Sequence, residues 1–233
     1  MTQRHFAARS LGVLALAIQS VGVFTQGAIP AQTPIAETRQ KADQGNADAQ
    51  FTLGVSYSTG SGVPQDVTQA VAWYRKAADQ GHAGAQYNLG FRYAAGQGVP
   101  QDFTQAVAWF RKAADQGDAD AQFNLGSMYN RGRGVEQDVT QAMAWFRKAA
   151  DQGDADAQFN LGAIHFSGEG VPKDLVEAHT WCSLAASHAT GGNRTRYAEA
   201  RELTAKNMTP AQLAEAQKRA ADWQAAFEER QLK

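Results

Sequence analysis

Histidine and cysteine are the side chains best suited to bind metals or to act in catalysis, and both are scarce in this sequence. Beyond the first thirty residues the sequence contains His82, His165, His179, His188 and the single cysteine, Cys182. His179 and His188 are nine residues apart in a predicted helix. That spacing is about 2.5 turns, so their rings point to opposite sides and cannot share a metal ion. No His-Glu-x-x-His motif occurs either. The sequence therefore predicts no metal site.

Cys182 and His165 occupy places that aromatic residues hold elsewhere in the chain. Shifting the sequence by 36 residues aligns Cys182 with Phe146 and His165 with Tyr129. A reactive thiol needs a neighbour that lowers its pKa, and the sequence offers none beside Cys182. We expect both side chains to pack, in preference to a nucleophilic cysteine or a catalytic histidine. A single cysteine also excludes an intramolecular disulfide and a cysteine-based zinc site.

Motifs of acyl and phosphoryl chemistry are absent from the sequence. Penicillin-binding and β-lactamase chemistry uses Ser-x-x-Lys, Ser-Asp-Asn and Lys-Thr-Gly, and none of these occurs. The glycine loops at residues 60–64 and 96–100 lack the Gly-Lys-Ser/Thr of a phosphate-binding loop. We therefore expect no catalytic residue and no cofactor. The loops are interpreted as turns, in which glycine allows positive φ and proline stops a helix.

The composition indicates a folded chain without affinity for nucleic acid. Hydrophobic residues make up 43% of the 233 residues and charged residues 19%, which excludes disorder caused by low hydrophobicity. Lys and Arg number 22 and Asp and Glu 23, so the net charge is −1. Binding to nucleic acid normally needs a concentrated basic face. We therefore expect no nucleic-acid partner.

The first 31 residues read as a cleavable signal peptide. Arg4 and Arg9 precede an apolar stretch from Leu11 to about Phe24. Roughly 14 helical residues cover about 21 Å, which is short of the ~30 Å hydrocarbon core of a membrane. We therefore predict cleavage between Gly27 and Ala31, no stable membrane insertion afterwards, and a periplasmic or secreted mature protein.

The rest of the chain is a tandem repeat with a period of 36 residues. That step relates the tryptophans Trp73, Trp109, Trp145 and Trp181, and also the leucines Leu53, Leu89, Leu125 and Leu161. The 19 residues from Ala108 to Gly126 recur unchanged from Ala144 to Gly162. A period of this size predicts a solenoid. We expect an N-terminal capping half-repeat at 32–45, four repeats at 46–190 and C-terminal capping helices at 191–233.

Each repeat reads as two helices, A and B, joined by a glycine loop. Helix A of the third repeat is predicted to follow the N-cap Asp118, and it contains Gly126 at a cost of about 1 kcal/mol relative to alanine. A glycine at that place in every repeat predicts the close approach of another backbone. Helix B is predicted to open with a capping box, as at Asp66 and Gln69, and to end at a glycine such as Gly81.

These motifs resemble the Sel-like repeat family, which is related to the tetratricopeptide repeats. The signature is Ala-x-Ala-Gln-Phe-Asn-Leu-Gly-x-x-Tyr, a Gly-x-Gly-Val loop, and Asp-x-x-x-Ala-x-x-Trp-[Tyr/Phe]-x-x-Ala-Ala, over residues 38–188. The resemblance implies an all-α, right-handed α/α solenoid whose A helices line a concave groove. It also implies a scaffold or adaptor for other proteins.

Binding is predicted at positions of the A helices and the loops after them that differ between repeats. Our candidates mix aromatic residues and arginines, as binding hot spots do: Phe91, Arg92, Asn130, Arg131, Arg133 and Phe166. Three asparagines at one repeated position, Asn88, Asn124 and Asn160, form a ladder. It either hydrogen-bonds a peptide backbone or joins the repeats to one another.

The sequence thus favours a non-enzymatic module that binds a protein segment in its groove. One alternative is a cell-wall or polysaccharide-binding module that uses the aromatic residues. A less favoured alternative is a hydrolase acting on cell-wall or β-lactam substrates. The tryptophan stripe could serve as a ligand platform, but its repetition beside alanine and valine favours a role in the core.

Overall fold

The computed structural model describes residues 35–232, and their regular secondary structure is entirely helical. The predicted signal peptide lies outside these residues. In chain order the helices are α1 (Ile35–Asp43), α2 (Ala47–Thr59), α3 (Val67–Asp79), α4 (Ala83–Ala95), α5 (Phe103–Asp115), α6 (Ala119–Arg131), α7 (Val139–Ala150), α8 (Ala155–Ser167), α9 (Leu175–His188), α10 (Gly192–Ala205) and α11 (Pro210–Gln231). The prediction of an all-α solenoid built from four helix–turn–helix repeats is confirmed.

Helices α2, α4, α6 and α8 are the A helices, and α3, α5, α7 and α9 are the B helices. Helices α1 to α10 each pack mainly on their neighbours in sequence. The repeated leucines of the A helices are 0–2% exposed, and the repeated tryptophans of the B helices are 2–9% exposed. One pair of helices cannot bury its own apolar face, so stacking of repeats builds the core.

The helix starts follow the predicted caps, with one correction. Asp118 accepts the backbone N–H of Ala121 at 2.8 Å, and His82 serves as the N-cap of α4 through Nδ1. Asp66 likewise accepts the N–H of Gln69 at 3.0 Å. The other hydrogen bond of the predicted capping box, from the backbone N–H of Asp66 to the side chain of Gln69, is missing. The backbone N–H of Asp66 is already bonded to the carbonyl of Tyr57, so nothing remains for the Gln69 side chain.

The helical glycines make room for the neighbouring helix, as Gly90 illustrates. A Cβ atom on Gly90 would lie 2.8 Å from the ring of Phe110 and 3.2 Å from the carbonyl oxygen of Ala106. The prediction of a closely approaching backbone was therefore incomplete, because the aromatic ring of helix B comes nearer than the backbone does. Gly162 meets Cys182 instead, whose Sγ would lie 2.7 Å from the added atom.

Two ladders of polar side chains tie the repeats together. Along one, an arginine of α1, α3 or α5 donates to the hydroxyl of a tyrosine in the next A helix: Arg39 to Tyr57, Arg75 to Tyr93 and Arg111 to Tyr129. Along the other, a glutamine after helix B donates to a buried glutamine of helix A: Gln80 to Gln50, Gln116 to Gln86 and Gln152 to Gln122. Each buried glutamine in turn donates to a carbonyl of the preceding repeat.

Both ladders change in the fourth repeat. His165 stands where the other repeats have tyrosine, so Arg147 lies over the ring of Trp181 and pairs with Asp151 instead. His188 takes the place of the glutamine after helix B. Its two ring nitrogens lie 3.0 Å from Oε1 of Gln158 and 2.8 Å from Oε1 of Gln224 in α11. The glutamine ladder thus ends on the last helix.

Helices α10 and α11 both pack against α9. The Tyr197 ring of α10 stacks on Phe159 of α8, with centroids 4.5 Å apart. Trp223 of α11 meets the edge of Trp181 at 6.2 Å and stacks on Phe227 at 5.0 Å. The last repeat is therefore covered by one helix at each side of α9.

Candidate functional site

All nine predicted binding residues are half-buried, so each combines contacts inside the fold with some access to solvent. They lie on α4, α6 and α8 and on the loop that follows α6. The structure does not gather them into one cluster. They divide into two groups: Asn88, Asn124 and Asn160 in the N-terminal halves of the A helices, and Asn130 with the arginines and aromatic residues toward the C-terminal ends.

The three asparagines each turn their amide toward their own helix. Asn88, Asn124 and Asn160 donate from Nδ2 to the carbonyl four residues earlier, at 2.8, 2.8 and 2.7 Å. Asn124 also hydrogen-bonds the Tyr87 side chain of the preceding repeat. A ligand on this ladder would therefore meet the amide oxygens more readily than the amide N–H groups.

Phe91 and Arg92 are tied into the second repeat. Phe91 packs against the hydrophobic cluster around Phe110 and Leu125. The Arg92 guanidinium donates to the hydroxyl of Ser58, in the first repeat, and to the side chain of Gln97. The bond to Ser58 thus joins two repeats, and the two bonds together leave Arg92 with fewer N–H donors for a partner.

Arg131 and Arg133 flank the glycine that ends α6. Burial of Arg131, together with the positive charge of Arg133, lowers the pKa of the Arg131 guanidinium. The guanidinium carbon of Arg133 lies 5.6 Å from the ring centroid of Phe103 at the start of α5. On α8, Phe166 lies beneath the ammonium group of Lys173, at 4.9 Å.

Sequence reasoning missed an acidic cluster at the N-terminal ends of α6 and α8. Asp118 and Asp154 are caps, as expected, but Asp120 and Asp156 lie close to them. Burial first, and then the neighbouring carboxylates, raise the pKa of Asp120 to about 6. Burial raises the pKa of Asp154 to about 6 as well. The repeated Asp-Ala-Asp could have revealed the cluster, because stacking places equivalent residues of successive repeats side by side.

The acidic cluster continues to α10. Tyr197 donates its hydroxyl to Asp156, and Asn193 approaches the same carboxylate oxygen at 3.4 Å. Burial, followed by the charge of Asp156, raises the pKa of Tyr197 above its ordinary value. A polar pocket of about 140 Å³ lies here, with Asp154, Asp156, His188 and Asn193 in its walls.

The tryptophan stripe is core, as the sequence favoured. Lys76, Lys112 and Lys148 lie over the rings of Trp73, Trp109 and Trp145 at 3.8–3.9 Å. The lysine stems thereby cover indole faces that a ligand would need. A shallow depression of about 550 Å³ beside Trp109 is lined by Arg75, Tyr93 and Asp102. Arg75 donates to the hydroxyl of Tyr93, and Asp102 accepts the backbone N–H of Gln105 at the start of α5.

The residues that could do covalent or metal chemistry are placed as packing residues. Cys182 is 2% exposed, and burial raises the pKa of its thiol to about 12. His179 is also buried and contacts the hydroxyl of Ser183, and its pKa is lowered by burial. Within residues 35–232, no three His, Cys, Asp or Glu side chains are grouped as metal ligands. In that same span no helix is both long and apolar enough to cross a membrane.

The chain is similar to solved Sel1 repeat proteins. A Sel1 repeat protein from Oxalobacter formigenes is 29% identical, with a TM-score of 0.62 over 76% of this chain and 85% of the other. A protective antigen of uropathogenic Escherichia coli strains, described as displaying an SLR fold, is 33% identical, with a TM-score of 0.53 over 81% of this chain. This chain spans 48% of that antigen's length.

Comparison with families agrees with these structures. No curated protein matches the chain significantly. The Sel1 repeat family model, in contrast, matches residues 47–82, 83–118, 119–154 and 155–189, which together cover all four A and B helix pairs. The chain therefore belongs to the Sel1 repeat family.

Proposed function

We propose that this chain is a non-enzymatic scaffold that binds a protein segment across α4, α6 and α8. Proteins built from Sel1 repeats generally act as scaffolds for protein–protein interaction. The observation that carries the proposal is where the repeats differ. The B helices of the first three repeats are almost identical, whereas residues 55–61, 91–97 and 127–133 share only one tyrosine and one glycine.

In this proposal the B helices support the fold, and the variable segments recognise the partner. The invariant B helices hold the tryptophans, alanines and lysines that stack one repeat on the next. The variable segments form the C-terminal ends of the A helices and the loops after them. Val55 and Met128 of these segments are buried, whereas their other side chains are half-buried or exposed, so the segments can contact a partner while the core keeps them in place. Phe91, Asn130, Arg131, Arg133 and Phe166 are the residues to which we assign partner contact.

The proposed place of action is the cell envelope or the exterior. The support is the basic, apolar and small-residue order of residues 1–31, which is typical of a cleavable signal peptide. A fusion of the full chain to alkaline phosphatase, which is active only after export, tests this part. Activity that is lost when Arg4 and Arg9 are both changed to glutamate supports export. Equal activity without residues 1–31 contradicts it.

Crosslinking pull-down from the native cell envelope tests the binding surface. The bait is the mature protein, compared with a Phe91→Ala/Arg131→Glu double variant. Arg194→Glu is a matched control, because Arg194 is exposed at the start of α10, away from the variable segments. Circular dichroism of all three proteins shows whether the helices remain intact.

The proposal expects one protein that is captured by the wild type and by Arg194→Glu but lost with the double variant. The helical signal must stay unchanged, since Phe91 also packs against the core. Capture of the same proteins by all three baits would assign binding to another surface. Capture of none would contradict a protein scaffold in this compartment.

A further inference from the structure

The last residue of α6 and the loop after it carry a pair of arginines that no other repeat has. The position of Arg131 is held by Thr59, Ala95 and Ser167 in the other repeats, and that of Arg133 by Ser61, Gln97 and Glu169. By contrast, the 19 residues from Ala108 to Gly126, which end shortly before Arg131, recur without change one repeat later. Two cations added two residues apart, in one repeat only, need a reason that repeat stacking does not provide.

The fold holds Arg133 in place from the neighbouring repeat. Its guanidinium lies over the ring of Phe103, and the equivalent residue at the start of the other B helices is Val67, Val139 or Leu175. The aromatic ring thus occurs only where the arginine lies opposite it. Gly134 also fixes the loop close to α5, because it has a φ of +72° and a Cβ there would collide with the carbonyl oxygen of Phe103.

The positive charge of the pair is not balanced inside the fold. Among the ion pairs formed by residues 35–232, none involves Arg131 or Arg133. Burial and the charge of Arg133 together lower the pKa of Arg131, so the two groups are close enough to repel each other. The dipole of α6 favours one cation at its C-terminus, which accounts for Arg131 but not for Arg133 beyond the helix end.

We infer that Arg131 and Arg133 together bind the carboxylate of an aspartate or glutamate in the partner segment. The inference rests on the proposed function and specifies the partner as an acidic protein segment. A planar guanidinium over a ring keeps its N–H donors directed outward, and a carboxylate accepts two such donors well. A negative charge between the arginines also removes their mutual repulsion.

A side-chain carboxylate fits better than the backbone of a nucleic acid. A nucleic acid needs an extended basic surface. The segments equivalent to 127–133 in the other repeats contain only one further Lys or Arg, Arg92, which is already bonded to Ser58 and Gln97. The other end of α6, about 20 Å away along a helix of 13 residues, carries the acidic cluster around Asp120. That cluster would repel a phosphate backbone passing along the helix. A peptide with one acidic position at the arginine pair avoids this repulsion.

Selection from a random dodecapeptide display library tests the inference without a known partner. The library is panned on the wild type, on an Arg131→Gln/Arg133→Gln variant and on an Arg194→Gln/Lys218→Gln variant that loses the same charge elsewhere. We expect Asp and Glu to be enriched on the wild type and on the control variant only. Phe103→Val, which restores the residue of the neighbouring repeats, should reduce the enrichment.

Fluorescence anisotropy of a selected peptide then gives the size of the effect. Replacing its acidic residue with the matching amide should weaken binding to the wild type about tenfold at low salt, with little effect on the arginine variant. The difference should shrink as NaCl is raised.

Peptides that depend on Phe91 but show no acidic enrichment would overturn the inference while leaving the proposed function intact. Acidic peptides that bind the arginine variant equally well would also overturn it. Loss of all peptide binding, together with a pull-down that is insensitive to Phe91→Ala/Arg131→Glu, would overturn both.

Discussion

Asp120, in the first turn after the N-cap Asp118, shows how a repeated acidic residue acquires an electrostatic cost when repeats stack. Its pKa of about 6 in the fold lies above its ordinary value of 3.8 because of burial and of Asp118 and Asp156. Between those two values the folded chain binds a proton that the unfolded chain does not. The stability that the protonated form contributes is fully present below pH 4 and is lost as the pH rises through 6.

Asp120→Asn should therefore stabilise the protein at pH 7, by about 1 kcal/mol given the partial exposure of the site. The gain should shrink toward zero as the pH falls to 4. Urea unfolding followed by circular dichroism at pH 4, 5, 6 and 7 measures it. Asp222→Asn, on the exposed side of α11, removes the same charge as a control. An equal gain at every pH would rule out the raised pKa as the cause.

Gly90 illustrates a steric requirement at the same scale. A methyl group there would press on the ring of Phe110 and on the carbonyl of Ala106. We expect Gly90→Ala to destabilise the fold by about 1–3 kcal/mol, although alanine is the better helix former. Thermal unfolding measures the change. Gly192→Ala, where no atom lies within 4 Å of the added methyl, should be neutral or slightly stabilising. Equal behaviour of the two variants would refute the close contact.

At the scale of single helices, α11 is held mainly by aromatic contacts. Only Ala216 of this helix is buried, while Trp223 lies between Trp181, His188 and Phe227. Trp223→Ala should cost about 2 kcal/mol, because the ring is half-buried. Near-ultraviolet circular dichroism and the melting temperature report the loss. Lys218→Ala, exposed on the same helix, is the matched control, and an equal effect of both changes would show that α11 does not brace the last repeat.

The helices themselves could be predicted from the sequence, because their boundaries depend on local chemistry. Asp caps, Gly-x-Gly loops and the 36-residue period determine where each helix begins and ends. The capping box at Asp66 was wrong for a reason that is not local. Its backbone N–H is taken by Tyr57 in the preceding helix, and pattern reasoning sees only the four residues of the box. At Thr209 no such competitor exists, and the box with Gln212 is complete.

At the scale of the whole molecule, stability should be distributed along the array rather than concentrated in one core. Each repeat rests on its neighbours, so damage at the end should stay local. Leu53→Ala in α2 should speed amide hydrogen exchange about tenfold in α1 to α3 and leave α6 to α9 unchanged. Leu125→Ala in α6 should affect the helices on both sides. Hydrogen-exchange mass spectrometry distinguishes the two patterns, and a uniform rise for both variants would indicate a single cooperative unit.

The candidate site was less predictable than the fold because its residues act across repeats. Variation between repeats marked Arg131 and Arg133, but only the structure brings Arg133 over Phe103, which is 30 positions earlier. The same holds for Arg92, whose guanidinium reaches Ser58. The acidic cluster was read as a set of separate caps, since spacing along the chain does not reveal which side chains meet when helices stack.

The arginine–tyrosine bonds and the bonds from a buried glutamine to a carbonyl of the preceding unit recur at nearly every junction between units. The junctions that carry both are therefore chemically interchangeable. A unit can therefore be duplicated or removed by recombination within the gene, and the new junction still forms the same hydrogen bonds. The exact copy of Ala108–Gly126 at Ala144–Gly162 is what a recent duplication of that kind would leave behind. In such a lineage, the length of the recognition surface changes in whole units, and new specificity arises afterwards by a few substitutions in one copy.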